Sequence, residues 1–309
     1  MSMEPPRSLL DQAGLTLTGR RLPTRNSASW VARHRAGLVI LRRLDPRLSP
    51  PASSEIARDL AWLHGYLARL ARTGFPAPHP VPAWDGTSWM LVDGAWWEAV
   101  SYLPGHAVGW NDAPPLPEVG ALLARFHAAS AAAPASTQRP ISYPVDALDG
   151  SRLGPSWRRR LDQLAADLDR LPVLDVKCVV HGDFTTHNVL ANGRPPHPCG
   201  VIDFALAHVD NPWADIGYAL WRSGRPHQDA IDWDPDRISR FVAGYRRISD
   251  LPPDAATAIP IYMTARGLQQ AVRARTLSMP IPGHLHARLE WLSTHRTILT
   301  EHILRTLDR

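Results

Sequence analysis

The hydrophobic period of this chain changes at Leu103, and that change limits the fold more than any other feature. Before Leu103, short alternating or apolar runs of strand length recur. After it, apolar residues fall at helical spacing over long segments. A chain written this way is α+β, with a small β-rich part followed by a larger, mainly helical one. The strand runs are Leu15–Leu22, Ser29–His34 and Leu38–Leu44, broken by Pro23–Ala28 and by the tight Arg35-Ala36-Gly37 turn. After the Pro46–Pro51 break, Ser53 or Ser54 can cap a helix reaching about Thr73, with Ile56, Leu60, Leu63, Leu67 and Leu70 as its apolar stripe. Ser88–Val92 and Trp96–Tyr102 flank Asp93-Gly94, a strong hairpin signal. Beyond Leu103, helices are predicted over Leu116–Ala133, Ser156–Leu171, Pro235–Arg247, Asp254–Leu277 and Gly283–Leu307. Short β-like runs between Val176 and His208 interrupt them. The expected division is 1–103 and 104–309.

Composition narrows the function classes. A hydrophobic fraction of 44% with 20% charged residues excludes a disordered chain. No apolar run is long enough to span a membrane, and the first residues lack the apolar segment of a secretory signal, so a cytoplasmic protein is expected. Two cysteines, Cys178 and Cys199, give neither a disulfide framework nor metal-ligand spacing, and buried thiols are expected. The net charge of +5 is carried by 33 arginines and one lysine, Lys177, against 29 carboxylates. The arginines are dispersed along the chain, with no basic patch interleaved with aromatics, so no nucleic-acid partner is expected.

The chemistry is concentrated in His181-Gly182-Asp183-Phe184-Thr185-Thr186-His187-Asn188 and Val201-Ile202-Asp203-Phe204. The run Cys178-Val179-Val180 leads into a loop holding Asp183 and Asn188. Asn192-Gly193 turns the chain between two further short strands, the second of which presents Asp203. Two carboxylates and an amide at the rims of adjacent strands are hard oxygen donors of the kind Mg²⁺ takes.

These two motifs resemble the H-G-D-x-x-x-x-N loop and I-D-F metal motif of the aminoglycoside phosphotransferase, choline kinase and homoserine kinase superfamily, small-molecule relatives of protein kinases. The segment Asp210-Asn211-Pro212-Trp213-Ala214-Asp215-Ile216-Gly217 also resembles that family's helix-opening D-[IL]-[GA] segment. The resemblance implies a two-lobed, protein-kinase-like fold and an ATP- and Mg²⁺-dependent transfer of the γ-phosphate to a hydroxyl of a small molecule, with GTP left open as donor. Asp183 would orient the acceptor hydroxyl and receive its proton, while Asn188 and Asp203 would hold Mg²⁺. His181 would brace the loop. Asp215 would cap the following helix and tether the loop, and His187 would be a solvent-facing or packing residue.

The first part departs from the family at its phosphate-binding cation. Val39-Ile40-Leu41-Arg42 stands where kinases carry V-A-I-K, so Arg42 would take the lysine's work, and Asp59 stands where the partner glutamate is usual. The loop Pro23–Ser29 contains no glycine, and Ser27 and Ser29 would supply hydroxyls to phosphate. These departures keep open a nucleotide-binding pseudokinase. A kinase acting on protein Ser or Thr is a further alternative.

The acceptor is less legible. Residues 251–309 carry seven arginines against Asp254, Glu290, Glu301 and Asp308, a balance unsuited to a polycation. Tyr262, Arg266, Gln269 and Arg273 share one face of the predicted Asp254–Leu277 helix. That face would be either a plain solvated one or one that hydrogen-bonds a sugar-like, carboxylated or otherwise polar acceptor. Antibiotic, sugar-like, amino-alcohol and amino-acid acceptors all stay open, as does the oligomeric state.

Overall fold

The computed structural model describes residues 4–22, 28–44, 53–109, 115–133, 153–172 and 177–308. Its contacts divide the chain into two compact units, Met1–Pro104 and Gly105–Arg309.

The first unit opens with the short helix α1 (Arg7–Ala13), which the sequence reading did not anticipate, followed by strands β1 (Thr16–Leu22), β2 (Ala28–His34) and β3 (Gly37–Arg43). Helix α2 (Ser53–Arg72) and the hairpin β4 (Trp89–Val92) and β5 (Ala95–Ser101) complete it. The sheet is antiparallel in the order β1-β2-β3-β5-β4, so β5 lies between β3 and its own hairpin partner. At the hairpin turn, Asp93 and Gly94 both take positive φ, 51° and 70°, the conformation a two-residue turn between right-twisted strands requires. The core gathers Leu9, Leu15, Trp30, Val39, Leu41, Val81, Trp84, Trp97 and Ala99. Trp84 Nε1 donates to the Leu9 carbonyl at 3.2 Å, which ties α1 to that core.

The second unit runs β6 (His106–Ala107), α3 (Leu116–Ala132), α4 (Pro155–Asp169), β7 (Cys178–Val180), β8 (Val189–Asn192), β9 (His197–Val201) and β10 (His208–Asp210). Helices α5 (Pro212–Ser223), α6 (Pro235–Arg246), α7 (Asp254–Thr276) and α8 (Gly283–Leu307) follow. Its strands form two small sheets, β10-β7 and β6-β8-β9. Helices α3 and α6 cross with their backbones almost touching. A Cβ added at Gly120 would meet the Phe241 carbonyl oxygen at 2.1 Å, and one at Gly244 would meet that of Pro117 at 1.9 Å. Among the described residues no helix is long and apolar enough to cross a membrane.

Candidate active site

The loop between β7 and β8 is held from below by one buried carboxylate. Asp215, fully buried in the first turn of α5, accepts the N–H of His181 at 2.5 Å and of Gly182 at 2.9 Å. Its Oδ2 also bonds His127 Nε2 of α3 at 3.2 Å, and His127 Nδ1 bonds the Tyr245 hydroxyl of α6 at 2.8 Å. Burial pushes the Asp215 carboxyl up, but the hydrogen bond and charge of His127 and the His181 N–H together hold it below the usual carboxylate range. The tether expected of Asp215 is present; its capping role is not. Asn211 is the N-cap of α5, its side chain accepting from the Trp213 N–H at 2.9 Å, and Asp215 lies too far into the helix to reach that position.

His181 is fully buried among Phe126, Phe184 and Phe204. Its Nε2 donates to the Ile202 carbonyl at 3.0 Å and its Nδ1 accepts the Asp183 N–H at 3.2 Å. Both ring nitrogens are therefore engaged with backbone, and the ring joins the Asp183 loop to the strand end that carries Asp203. Gly182 has φ +74°, and a Cβ there would meet the Leu206 carbonyl oxygen at 2.2 Å, so only glycine fits.

This frame brings Asp183, Asn188 and Asp203 together. Asn188 Nδ2 donates to the Asp183 carbonyl at 2.9 Å, and the Ile202 N–H donates to the Asn188 carbonyl at 2.9 Å. Because its amide nitrogen faces Asp183, the Asn188 Oδ1 is the end suited to a cation. Asp203 is exposed and holds a left-handed backbone with φ 64°, an uncommon conformation for a non-glycine residue and one that recurs at functional sites. Among the described residues no group of three or more His, Cys, Asp or Glu side chains is gathered to hold a metal. Asn188 Oδ1 and the Asp203 carboxylate are hard oxygen donors of the kind that suits Mg²⁺, an ion that keeps waters and takes further ligands from substrate phosphates.

Helix α7 reaches this loop from its buried side. Arg266 Nη2 donates to Asp183 Oδ1, and its Nη1 donates to the Gly182 carbonyl at 3.4 Å and to Gln269 Oε1 at 3.3 Å. The guanidinium carbon lies 5.6 Å from the centre of the Tyr218 ring, and Gln269 Nε2 donates to the Tyr218 hydroxyl at 3.0 Å. Tyr262 is buried and meets Tyr218 edge-on, with ring centres 6.4 Å apart. Of the four residues on the predicted α7 face, Tyr262, Arg266 and Gln269 are packed around the loop, and Arg273 is exposed near the helix end. His187 is half-buried, and its Nε2 accepts from Arg222 of α5 at 2.6 Å.

In the first unit, Arg42 stands directly opposite Ser29 of β2 and Glu98 of β5. Its Nε donates to Glu98 Oε1, while His64 of α2 donates from Nε2 to Oε2 at 2.8 Å. His64 Nδ1 bonds the Ser88 hydroxyl at 2.6 Å. Sequence reasoning named Asp59, which lies buried on α2, and did not name Glu98. The alternation of β3 and β5 contained the missing signal, once the two strands are paired. Ser29 is buried in the same cross-strand row, and Ser27 lies outside the described residues. Of the two thiols, Cys178 is buried and pushed up to about 12 by that burial, whereas Cys199 is half-buried.

A family model described as phosphotransferase enzyme family matches residues 18–251. The chain is 29% identical over 233 residues to a homoserine kinase of Beijerinckia indica subsp. indica, covering 70% of this chain and 68% of that one. Among solved structures, a microcompartment-associated aminopropanol kinase superposes with a TM-score of 0.68 at 19% identity, covering 98% of both chains. An amicoumacin kinase in complex with AMP-PNP, Ca²⁺ and Ami superposes with a TM-score of 0.66 at 18% identity, over 94% of this chain and 88% of that one.

Proposed function

The chain belongs to the phosphotransferase enzyme family, and from that membership we propose that it moves the γ-phosphate of ATP to a hydroxyl of a small molecule in a Mg²⁺-dependent reaction. Homoserine is the first acceptor to test, because homoserine kinases are among its relatives. The observation that carries the reading is the tethered loop, in which Asp215 and His181 hold Asp183 beside Asn188 and Asp203.

In this reading the acceptor hydroxyl sits on Asp183, which orients it and takes its proton as the new oxygen–phosphorus bond forms and the β–γ bridge of ATP breaks to release ADP. Asn188 Oδ1 and the Asp203 carboxylate would hold Mg²⁺. When bound, the ion neutralises charge on the phosphate oxygens. Arg42, paired with Glu98, would grip nucleotide phosphate, a task for which a planar fork is suited. Most of the rate then comes from positioning and charge stabilisation, without a covalent enzyme intermediate.

The test is acceptor-dependent ATP consumption with Mg²⁺ across homoserine, serine, choline, amino alcohols, aminoglycosides and sugars. Turnover with at least one acceptor is expected, falling by about 100-fold or more in Asp183→Asn. Turnover of none of them, or an unchanged rate in the variant, overturns the reading.

A further inference from the structure

The candidate base has a cation in contact with it, delivered by helix α7. Arg266 is only 14% exposed, and three contacts preorganise its guanidinium: Asp183 Oδ1, the Gly182 carbonyl and Gln269 Oε1, with the Tyr218 ring beneath it. A guanidinium carries five N–H donors, so these bonds leave part of the fork unused along the edge next to Asp183. A hydroxyl resting on Asp183 is therefore a short carbon chain away from a fixed, partly dehydrated cation.

The carboxylates of α7 and α8 lie elsewhere. Asp254 is exposed, three turns before Arg266 and about 18 Å away along the helix. Glu290 is paired with Arg160 and Glu301 with Arg305, both at the surface, and Asp308 ends α8 in solvent. Among the described residues, the two C-terminal helices thus bring positive charge and no negative charge to Asp183.

We propose that Arg266 is a specificity-determining residue that grips a carboxylate on the acceptor, bridging it to Asp183, so that the preferred acceptors are small hydroxy acids such as hydroxy amino acids. The planar fork suits this role because it holds one carboxylate on each of two edges, Asp183 on one and the acceptor on the other. Without the cation, two carboxylates in one partly buried site would repel. The same cation disfavours an aminoglycoside, whose ammonium groups would face it.

The inference rests on the phosphotransferase reading, and its test separates the two. Acceptors are compared in pairs differing only by the carboxylate: homoserine against aminopropanol, and serine against ethanolamine. The wild-type enzyme is expected to favour the carboxylated member in kcat/KM by about 10- to 100-fold, the worth of hydrogen bonds to a charged group. In Arg266→Gln both rates fall, because Asp183 loses its brace, but the carboxylated acceptor falls further and the ratio collapses toward one. Arg266→Lys keeps the charge without the fork and should retain an intermediate ratio. Each ratio is read on one preparation, so it does not depend on the folded fraction. An unchanged ratio in Arg266→Gln makes Arg266 a brace alone and overturns the proposal. So does wild-type turnover confined to acceptors without a carboxylate, with the kinase reading left intact. Turnover of no acceptor at all overturns both.

Discussion

Glu98 sits at 1% exposure between two donors, with Arg42 Nε on one oxygen and His64 Nε2 on the other. Burial alone pushes such a carboxyl up, but the Arg42 charge, aided by His64, overcomes it and brings the group down from 4.5 to about 2. A carboxylate depressed in the folded state stabilises the fold above its unfolded value. That stability is lost as pH falls from about 4.5 toward about 2. The gap corresponds to about 3 kcal/mol at neutral pH. Glu98→Gln should therefore unfold more readily at pH 7 while losing much less stability between pH 5 and pH 3 than the wild type does, as read by urea titrations at each pH. Parallel pH curves for the two proteins would show that Glu98 is not the group responsible. The sequence shows Arg42 as a displaced lysine but does not show Glu98 beside it, because Glu98 is 56 residues away and meets it only when β5 inserts between β3 and β4. Asp183, Asn188 and Asp203 were legible because they lie in contiguous motifs. Arg266 was legible as part of a polar face of α7, but its contact with Asp183 was not, because a helical period does not say which loop, more than 80 residues earlier, that face meets.

At the scale of elements, the loop inherits its position from the crossing of α3 and α6. His127 of α3 and Tyr245 of α6 form the chain of hydrogen bonds that ends on Asp215, and Gly120 and Gly244 let the two helices approach closely enough to make it. Gly244→Ala would place a methyl against the Pro117 backbone, which cannot turn away as a flexible side chain could. A loss of about 1–3 kcal/mol in denaturant unfolding is expected for Gly244→Ala and for Gly120→Ala. The double variant should cost less than the sum, because one separation of the helices relieves both clashes. Phosphate transfer should slow in both variants as the tether of the loop loosens. Wild-type stability in either would mean the crossing is more pliable than its geometry implies. Most elements were legible in the periodicity, and α8 was legible to its ends, because Pro282 before Gly283 and the fading of the apolar stripe after Leu307 mark them. Helix α1 and strands β6 and β10 were not, being too short to show a period and held by partners distant in sequence, as Trp84 holds Leu9 and β7 holds β10.

At the scale of the whole chain, each unit carries proposed ligand groups of its own, Arg42 in Met1–Pro104 and Asn188 with Asp203 in Gly105–Arg309. Each unit buries its own apolar core, so a ligand's effect on stability can be traced to one residue in each. A ligand that binds only the folded chain stabilises it by about 2.7 kcal/mol at a concentration one hundred times its Kd. For a chain of this length that corresponds to a rise of about 4 °C in Tm. ATP with Mg²⁺ should therefore raise the wild-type Tm by several degrees, and ATP with a chelator by less. Arg42→Ala should shrink the rise under both conditions, because the proposed contact to the nucleotide would go with it. Asp203→Asn should abolish only the increment that Mg²⁺ adds, since an amide in place of the carboxylate keeps the shape and loses the charge. The two variants thus dissect one thermal shift into a nucleotide part and a metal part. A Mg²⁺ increment that survives in Asp203→Asn would move the metal ligand elsewhere, and a nucleotide shift untouched in Arg42→Ala would show that the pair with Glu98 serves only the sheet.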